Sequence, residues 1–268
     1  MHKTAITETT VIEITDEEGE RALGKKRGRY ITVEMPPFSS ADDFFDERLD
    51  ELIRCIRLLL PPGSGTVLAA GVGNADITSD SLGPMFAKRI IATRHLSGEL
   101  CREIGFDEPL RSVAAVSTAV LGQTGIESSE FISHIVSGIA PQCVITVDAL
   151  AARKISRLGC TVQLSDTGIA PGSGIGNMRK QIDIGTVGVP VIAVGVPTVI
   201  GALTLAGSLF GERDEKRLAR LRGEPGADMT VAPKDIDLVV KNASYLLALA
   251  VNCALQPSLS PRDAAALM

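Results

Sequence analysis

The chain has 268 residues, of which 45% are hydrophobic, and its formal net charge is −5 at pH 7. This length suits one α/β domain with a sizeable core, and we predict a single domain over residues 1–268. An acidic chain with no Trp and only two Tyr lacks the positive charge and the aromatic platforms that direct nucleic-acid binding uses.

The cysteine pattern and the N-terminus indicate where the protein works. Five cysteines are widely spread and none pairs at C-x-x-C spacing, so neither a zinc site nor a disulfide framework is predicted. The first residues lack the apolar core of a signal peptide. Free thiols are typical of a reducing compartment, and we therefore expect a cytoplasmic protein.

Apolar strands alternate with helical patterns along most of the chain. The predicted strands cover 30–34, 66–71, 113–116, 144–147, 161–164 and 191–196, and the predicted helices cover 41–60, 81–93, 127–138 and 233–254. Such alternation predicts an α/β three-layer sandwich, in which a largely parallel or mixed central sheet carries helices on both faces.

Two segments near the C-terminal end need separate interpretation. Residues 189–210 contain no charge and are long enough to cross a bilayer, but Pro190, Pro197 and several glycines interrupt them and no basic cluster precedes them. We predict a buried strand, a turn at Pro197 and an apolar helix, with no membrane span. Residues 211–229 are rich in charge, Gly and Pro, which predicts an exposed insertion or linker.

Two aspartates are the strongest candidates for chemistry, since ligand sites in open α/β sheets gather at the carboxyl ends of strands. Asp148 directly follows the apolar strand 144–147, where burial would raise its pKa. Asp80 lies in the Gly-rich loop 71–84, before a helix. Each could instead be a helix N-cap. If the two carboxylates converge, one could act as a base toward water and the other as an acid.

A third Gly-rich segment, residues 165–177, also follows a predicted strand. Its glycines could direct N–H groups toward a developing oxyanion. The candidates for this role are Gly168, Gly172 and Gly174. The candidates for holding or tuning the aspartate pair are Asp76, Arg153 and Asp166.

Other catalytic motifs are poorly matched. Gly172, Gly174 and Gly176 suggest a dinucleotide-binding turn, but their spacing fails G-x-G-x-x-G and residues 166–171 separate them from the strand. The sequence contains no P-loop and no G-x-S-x-G elbow. Only three histidines are present, so a Ser or Cys nucleophile with a His base is not supported.

Long blocks of the chain resemble the germination protease family. They include Gly71 to Pro84, Gly122 to Glu127, Val147 to Arg153, Ser165 to Asn177, Gly195 to Thr198 and Met229 to Lys234. The resemblance implies an endopeptidase that degrades small acid-soluble, DNA-protecting spore proteins during germination. It further implies a homotetramer made as a zymogen, and an atypical aspartic protease whose catalytic residues are Asp80 and Asp148.

The same resemblance implies a fold similar to that of hydrogenase maturation endopeptidases, which share the G-x-G-N sequence found at Gly71 to Asn74. In those enzymes the positions of Asp80 and Asp148 ligate nickel, together with a histidine that residues 165–177 lack. We therefore expect no metal and no cofactor. Two alternatives remain: a non-catalytic homologue that binds spore proteins, and a metal-dependent maturation endopeptidase. Family members also carry a longer N-terminal region with a pro-segment, whereas this chain starts about ten residues before the first shared block, Val11 to Thr15.

Overall fold

The computed structural model describes residues 1–40, 43–96, 101, 109–172, 179–210, 221 and 223–268. Within these ranges the strands are β1 (His2–Lys3), β2 (Glu8–Ile14), β3 (Gly28–Glu34), β4 (Val67–Gly71), β5 (Val113–Ser117), β6 (Cys143–Ala152), β7 (Thr161–Ser165), β8 (Val191–Gly201) and β9 (Thr230–Val231). They form one sheet in the order β1-β2-β3-β7-β8-β6-β4-β5, and β9 pairs with β8.

The sheet is mixed, as predicted. The pairs β4–β5, β4–β6 and β6–β8 are parallel, which brings the carboxyl ends of these strands to the same edge. The pairs β7–β8, β3–β7 and β2–β3 are antiparallel and extend the sheet on the other side.

Helices cover both faces, which confirms the three-layer sandwich. The helices of the described residues are α1 (Glu17–Leu23), α2 (Glu47–Leu59), α3 (Leu82–Ala87), α4 (Leu121–Thr124), α5 (Ser128–Ile139), α6 (Ile184–Val187), α7 (Ala202–Phe210), α8 (Ile236–Leu255) and α9 (Pro261–Ala266). Side chains of α2, α3, α8 and α9 share one large apolar core with one face of the sheet. Side chains of α5 and α6 share a smaller core with the other face.

Two strands are longer than predicted. β6 continues through Asp148 to Ala152, so Asp148 is a strand residue and the helix N-cap interpretation is wrong. β8 continues through Pro197 to Gly201, so the predicted turn at Pro197 is also wrong. The physical reason is that the two extensions pair with each other, with Asp148 opposite Gly195 and Leu150 opposite Pro197. A local apolar pattern cannot show such long-range pairing.

Helix boundaries and the N-terminal region also differ from the predictions. The helix predicted over 81–93 ends at Ala87, and the one predicted over 41–60 spans Glu47–Leu59. The sequence did not predict β1, β2 or α1. Their side chains are mostly exposed, including both Val11 and Ile12, and therefore show no clear apolar period.

The most buried helix is α8. In the described residues it is the one helix long and apolar enough to cross a membrane by length and composition, and 83% of its apolar window is buried inside the protein. This is the pattern of a central core helix, and α8 packs between α2 and α3. Residues 189–210, in contrast, divide into β8 and α7. Most of the predicted insertion, 211–220 and 222, lies outside the described residues.

A glycine contact joins the end of β4 to the start of α3. A Cβ added to Gly83 would lie 2.2 Å from the carbonyl oxygen of Val72 and 2.5 Å from that of Val147. Only a residue without a side chain permits this approach. The contact therefore sets α3, and the loop that precedes it, directly against β6.

We expect Gly83→Ala to destabilise the protein by about 3 kcal/mol or more, since the added methyl group would meet backbone oxygens that cannot rotate away. Gly138→Ala is the matched control: Gly138 lies in α5, and its Cβ would meet nothing within 4 Å. That variant should be neutral or more stable by about 0.5–1 kcal/mol. Denaturant unfolding measures both, and a Gly83→Ala loss below about 1 kcal/mol would contradict the described contact.

Candidate active site

A cavity of about 530 Å³ opens at the carboxyl ends of β4, β6 and β8. Asp80 and Asp148 both line it, so the structure brings together the two carboxylates that the sequence singled out. The other residues of its wall include Gly73, Asn74, Ile77, Ser79, Val120, Gly122, Leu150, Arg153, Gln163, Gly172, Arg179, Thr198 and Val199.

Asp148 is the more deeply buried carboxyl group, with 3% of the residue exposed. Its Oδ1 accepts the N–H of Ala149 at 2.9 Å. The pKa of Asp148 is raised to about 8: burial is the largest cause and the negative charge of Asp80 adds to it, while the Ala149 N–H and the Arg179 cation act in the opposite direction. Asp148 is therefore protonated at neutral pH.

Asp80 ends a short 3₁₀ turn, Thr78–Asp80, and is half-buried. Its Oδ2 accepts the backbone N–H of Asn74 at 2.8 Å. Burial raises the pKa of Asp80 above its usual range, while the Asn74 N–H and the charge of Arg179 lower it. Because Asp80 is less buried, it is the member of the pair that ionises first.

The loop that carries Asp80 is fixed by backbone geometry and by one buried hydroxyl group. Gly73 has φ +130°, and a Cβ there would lie 2.1 Å from the carbonyl oxygen of Asp80. From the β8 side, the fully buried Thr198 donates its hydroxyl to the carbonyl oxygen of Ser79 at 2.7 Å.

The candidate site residues other than Asp80 and Asp148 separate into two groups. Arg153 and Gly172 line the cavity. Asp76 is exposed and accepts a hydrogen bond from Gln123 at 2.9 Å, and Asp166 is exposed and accepts the N–H of Arg29 at 2.7 Å. Neither of these aspartates lines the cavity.

The two remaining candidates are glycines. Gly168, at φ +82°, would place a Cβ 2.1 Å from the carbonyl oxygen of Ile182, beside the bridge between Ile169 and Ile182. It therefore serves backbone packing rather than the cavity wall. Gly174 lies outside the described residues.

The sequence did not single out Arg179, which lines the cavity and, among the described residues, is the cation that lowers the pKa of both aspartates. The sequence feature that could have pointed to Arg179 is its position just after the Gly-rich segment 165–177. A lone Arg after a loop is too common to interpret without the fold, since only the fold shows which charges it approaches.

The part of the chain that the structure describes contains no group of three or more His, Cys, Asp or Glu side chains placed to hold a metal ion. From the described residues the cavity offers two carboxyl groups, and burial favours the protonated form of Asp148 at neutral pH. This donor set differs from the imidazole-containing sites that nickel favours.

Comparison with known proteins identifies the family. The family model described as germination protease matches residues 2–211. The chain belongs to this family. It is 38% identical to the germination proteases of Caldanaerobacter subterraneus subsp. tengcongensis and Clostridium acetobutylicum, over 95% and 94% of its length and 86% of theirs. It is 42% identical to that of Priestia megaterium over 73% of its own length and 54% of the relative's. Germination proteases that match the chain over most of its length indicate that this protein is a peptidase.

Among solved structures, the chain is similar to the [NiFe] hydrogenase maturation protease HycI from Thermococcus kodakarensis KOD1. The identity is 12% and the TM-score 0.36, over 74% of this chain and 98% of that one. The α/β fold is established here by the mixed sheet and its two helical layers.

The raised pKa of Asp148 makes stability depend on pH. Between the usual pKa of about 4 and the folded value of about 8, the native state holds one proton more than the unfolded state, so stability falls as pH rises through this window. Asp148→Asn removes this loss. We expect the variant to exceed wild type in unfolding free energy by on the order of 2–4 kcal/mol at pH 8, and by close to nothing at pH 4.

Denaturant unfolding of both proteins at several pH values measures this difference. Asp16→Asn is the control, because Asp16 is an exposed N-cap of α1 and Asn caps equally well. A difference between Asp148→Asn and wild type that does not change with pH would contradict the burial of an ionisable Asp148.

Proposed function

We propose that this member of the family is an endopeptidase that degrades small acid-soluble, DNA-protecting spore proteins during germination. Asp80 and Asp148 activate a water molecule for attack on the peptide bond. The observation that carries the proposal is the unequal environment of two carboxyl groups in one cavity: Asp148 is protonated at neutral pH, and Asp80 is the group that ionises first.

This difference in protonation supports different chemical roles for the two carboxyl groups. An ionised Asp80 takes a proton from water as the water oxygen bonds to the carbonyl carbon, and the protonated Asp148 donates to the carbonyl oxygen. The product of this step is a tetrahedral diol. The diol carries no charge, because the attacking water gives one proton to Asp80 and the carbonyl oxygen receives one from Asp148.

The second step returns both protons. Asp80, now protonated, donates to the leaving nitrogen as the carbon–nitrogen bond breaks, and Asp148 recovers a proton from the diol as the carboxyl product forms. The pair thus ends in its starting state. Arg179 and the backbone at Gly172 line the same cavity and would stabilise negative charge that develops on the substrate oxygen.

The fold supports an extended substrate. The cavity wall carries apolar side chains next to the dyad, among them Val120, Leu150 and the half-exposed Ile77. Peptide side chains could lie against this wall while their scissile bond faces the carboxyl groups. We further propose that the enzyme is a homotetramer made as a zymogen, that it acts in the cytoplasm of the spore, and that it uses no cofactor and no metal.

Cleavage of a purified small acid-soluble spore protein tests the proposal. We compare wild type, Asp80→Asn, Asp148→Asn and the surface control Asp16→Asn, each with and without a chelator. Wild type and Asp16→Asn should cleave with or without chelator, and either dyad variant should lose at least about a hundredfold in kcat/KM. The activity should be bell-shaped in pH, with a lower limb above the usual range of Asp and an upper limb near pH 8.

The other outcomes identify the alternatives. An active Asp148→Asn enzyme would overturn the dyad. Inhibition by chelator would favour a metal-dependent peptidase. Binding of the spore protein with no cleavage by any form, under conditions in which a curated relative cleaves it, would favour the non-catalytic homologue.

A further inference from the structure

A glutamine outside the cavity wall is bonded to the loop that holds Asp80. Gln123 lies in the one-turn helix α4, and its Nε2 donates to Asn74 Oδ1 at 2.7 Å and to Asp76 Oδ2 at 2.9 Å. Both acceptors belong to the loop between β4 and α3. A primary amide nitrogen carries two N–H groups, so one side chain can satisfy both oxygens.

The segment that presents Gln123 is itself held in place. The N–H of Thr118 donates to the carbonyl oxygen of Gly71 at 3.0 Å, which ties the end of β5 to the end of β4. Ala119 follows with φ 55°, a left-handed conformation that costs a non-glycine residue about 1 kcal/mol. Its carbonyl oxygen accepts the hydroxyl groups of Thr118 at 2.9 Å and Ser128 at 3.3 Å. The chain thus enters α4 in one fixed direction.

The path from Gln123 to the reacting carboxyl group is short. Asn74 Oδ1 also accepts the N–H of Asp76 at 2.9 Å, so the Asn74 side chain is fixed within its own loop and by Gln123. The backbone N–H of the same Asn74 donates to Asp80 Oδ2. Without a hydrogen bond from outside the loop between β4 and α3, the backbone N–H of Asn74 would be less firmly directed at Asp80.

We propose that Gln123 is a positioning residue for Asp80: by clamping Asn74 and Asp76, it keeps the Asn74 N–H directed at the Asp80 carboxylate. The inference rests on the proposed function, in which Asp80 is the base. Gln123 does not line the cavity, and therefore acts through the loop rather than on the substrate.

The charged groups that face Asp80 are known from the cavity wall of the described residues. Asp148 on β6 faces it, Arg179 contributes a favourable charge, and Arg153 lines the same wall. None of these groups makes a described hydrogen bond to Gln123. Loss of the Gln123 clamp therefore changes the Asn74 donor and releases the Asp76 carboxylate of the same loop, while it leaves Asp148, Arg179 and Arg153 in place.

The test compares wild type with Gln123→Ala and with Gln123→Met, which keeps the length of the side chain but has no N–H donor. Gln142→Ala is the matched control. Gln142 is a half-buried glutamine that, like Gln123, joins two segments: it donates to the Pro62 carbonyl oxygen and accepts from Arg111. It lies at the opposite edge of the sheet.

The primary measurement is the titration of the Asp80 carboxyl carbon by NMR, with Asp80→Asn used to assign the signal. This readout does not require peptidase activity, so it stands even if the proposed function fails. The Asp80 midpoint should move to higher pH in both Gln123 variants, because the carboxylate loses a well-directed donor, and should stay in place in Gln142→Ala.

Kinetics on the spore-protein substrate give the second readout. On the acidic limb of the pH profile, kcat of the Gln123 variants should be roughly threefold to tenfold lower than that of wild type, with KM unchanged. An unchanged Asp80 midpoint in both variants would overturn the proposal. A fall in activity that follows only a loss of thermal stability, with the midpoint unchanged, would show a purely structural role and would also overturn it.

Discussion

The site depends on the placement of a carboxyl group, Asp148, inside a strand of the central sheet. β6 pairs with β8 through and beyond this residue, and a Cβ on Gly195, which lies opposite Asp148, would be 2.5 Å from the Leu150 side chain. Burial there disfavours the ionised form, and the nearby Asp80 disfavours it again. The same burial that favours the protonated form of Asp148 at neutral pH makes the folded state less stable as the pH rises. Such a cost is typical of functional sites, where local rules of stability are broken.

The remaining structure brings Asp80 to this buried partner and holds it there. Gly83 lets α3 start against the backbone of β4 and β6, and Gly73 lets the intervening loop turn back on Asp80. Thr198 fixes the loop from the β8 side and Gln123 from the β5 side. Four strands thus converge on one short loop, which is a consequence of their parallel order at this edge of the sheet.

Local sequence was sufficient for the elements with a strong apolar period, and it was insufficient wherever pairing between distant segments decided the outcome. β4, β5, β7 and α8 agree closely with their predicted ranges, since each is bounded by polar or turn-forming residues. The extension of β6 through Asp148 depends on β8, more than forty residues later, and no pattern near Asp148 encodes it. The convergence of Asp80 and Asp148 came from the family resemblance, and the structure agrees. Arg179 and Gln123 were not predicted, because a single Arg or Gln in a loop becomes informative only when its neighbours in space are known.

The proposed aspartate pair depends on electrostatic coupling between the two carboxyl groups, and one measurement tests this coupling directly. The titration of the Asp148 carboxyl carbon, followed by NMR in wild type and in Asp80→Asn, reports both the burial of Asp148 and the influence of Asp80. We predict a midpoint near pH 8 in wild type and a lower midpoint in Asp80→Asn, because the neighbouring negative charge has been removed. A midpoint near the ordinary value for Asp, or one that does not respond to the change at position 80, would contradict the coupled pair.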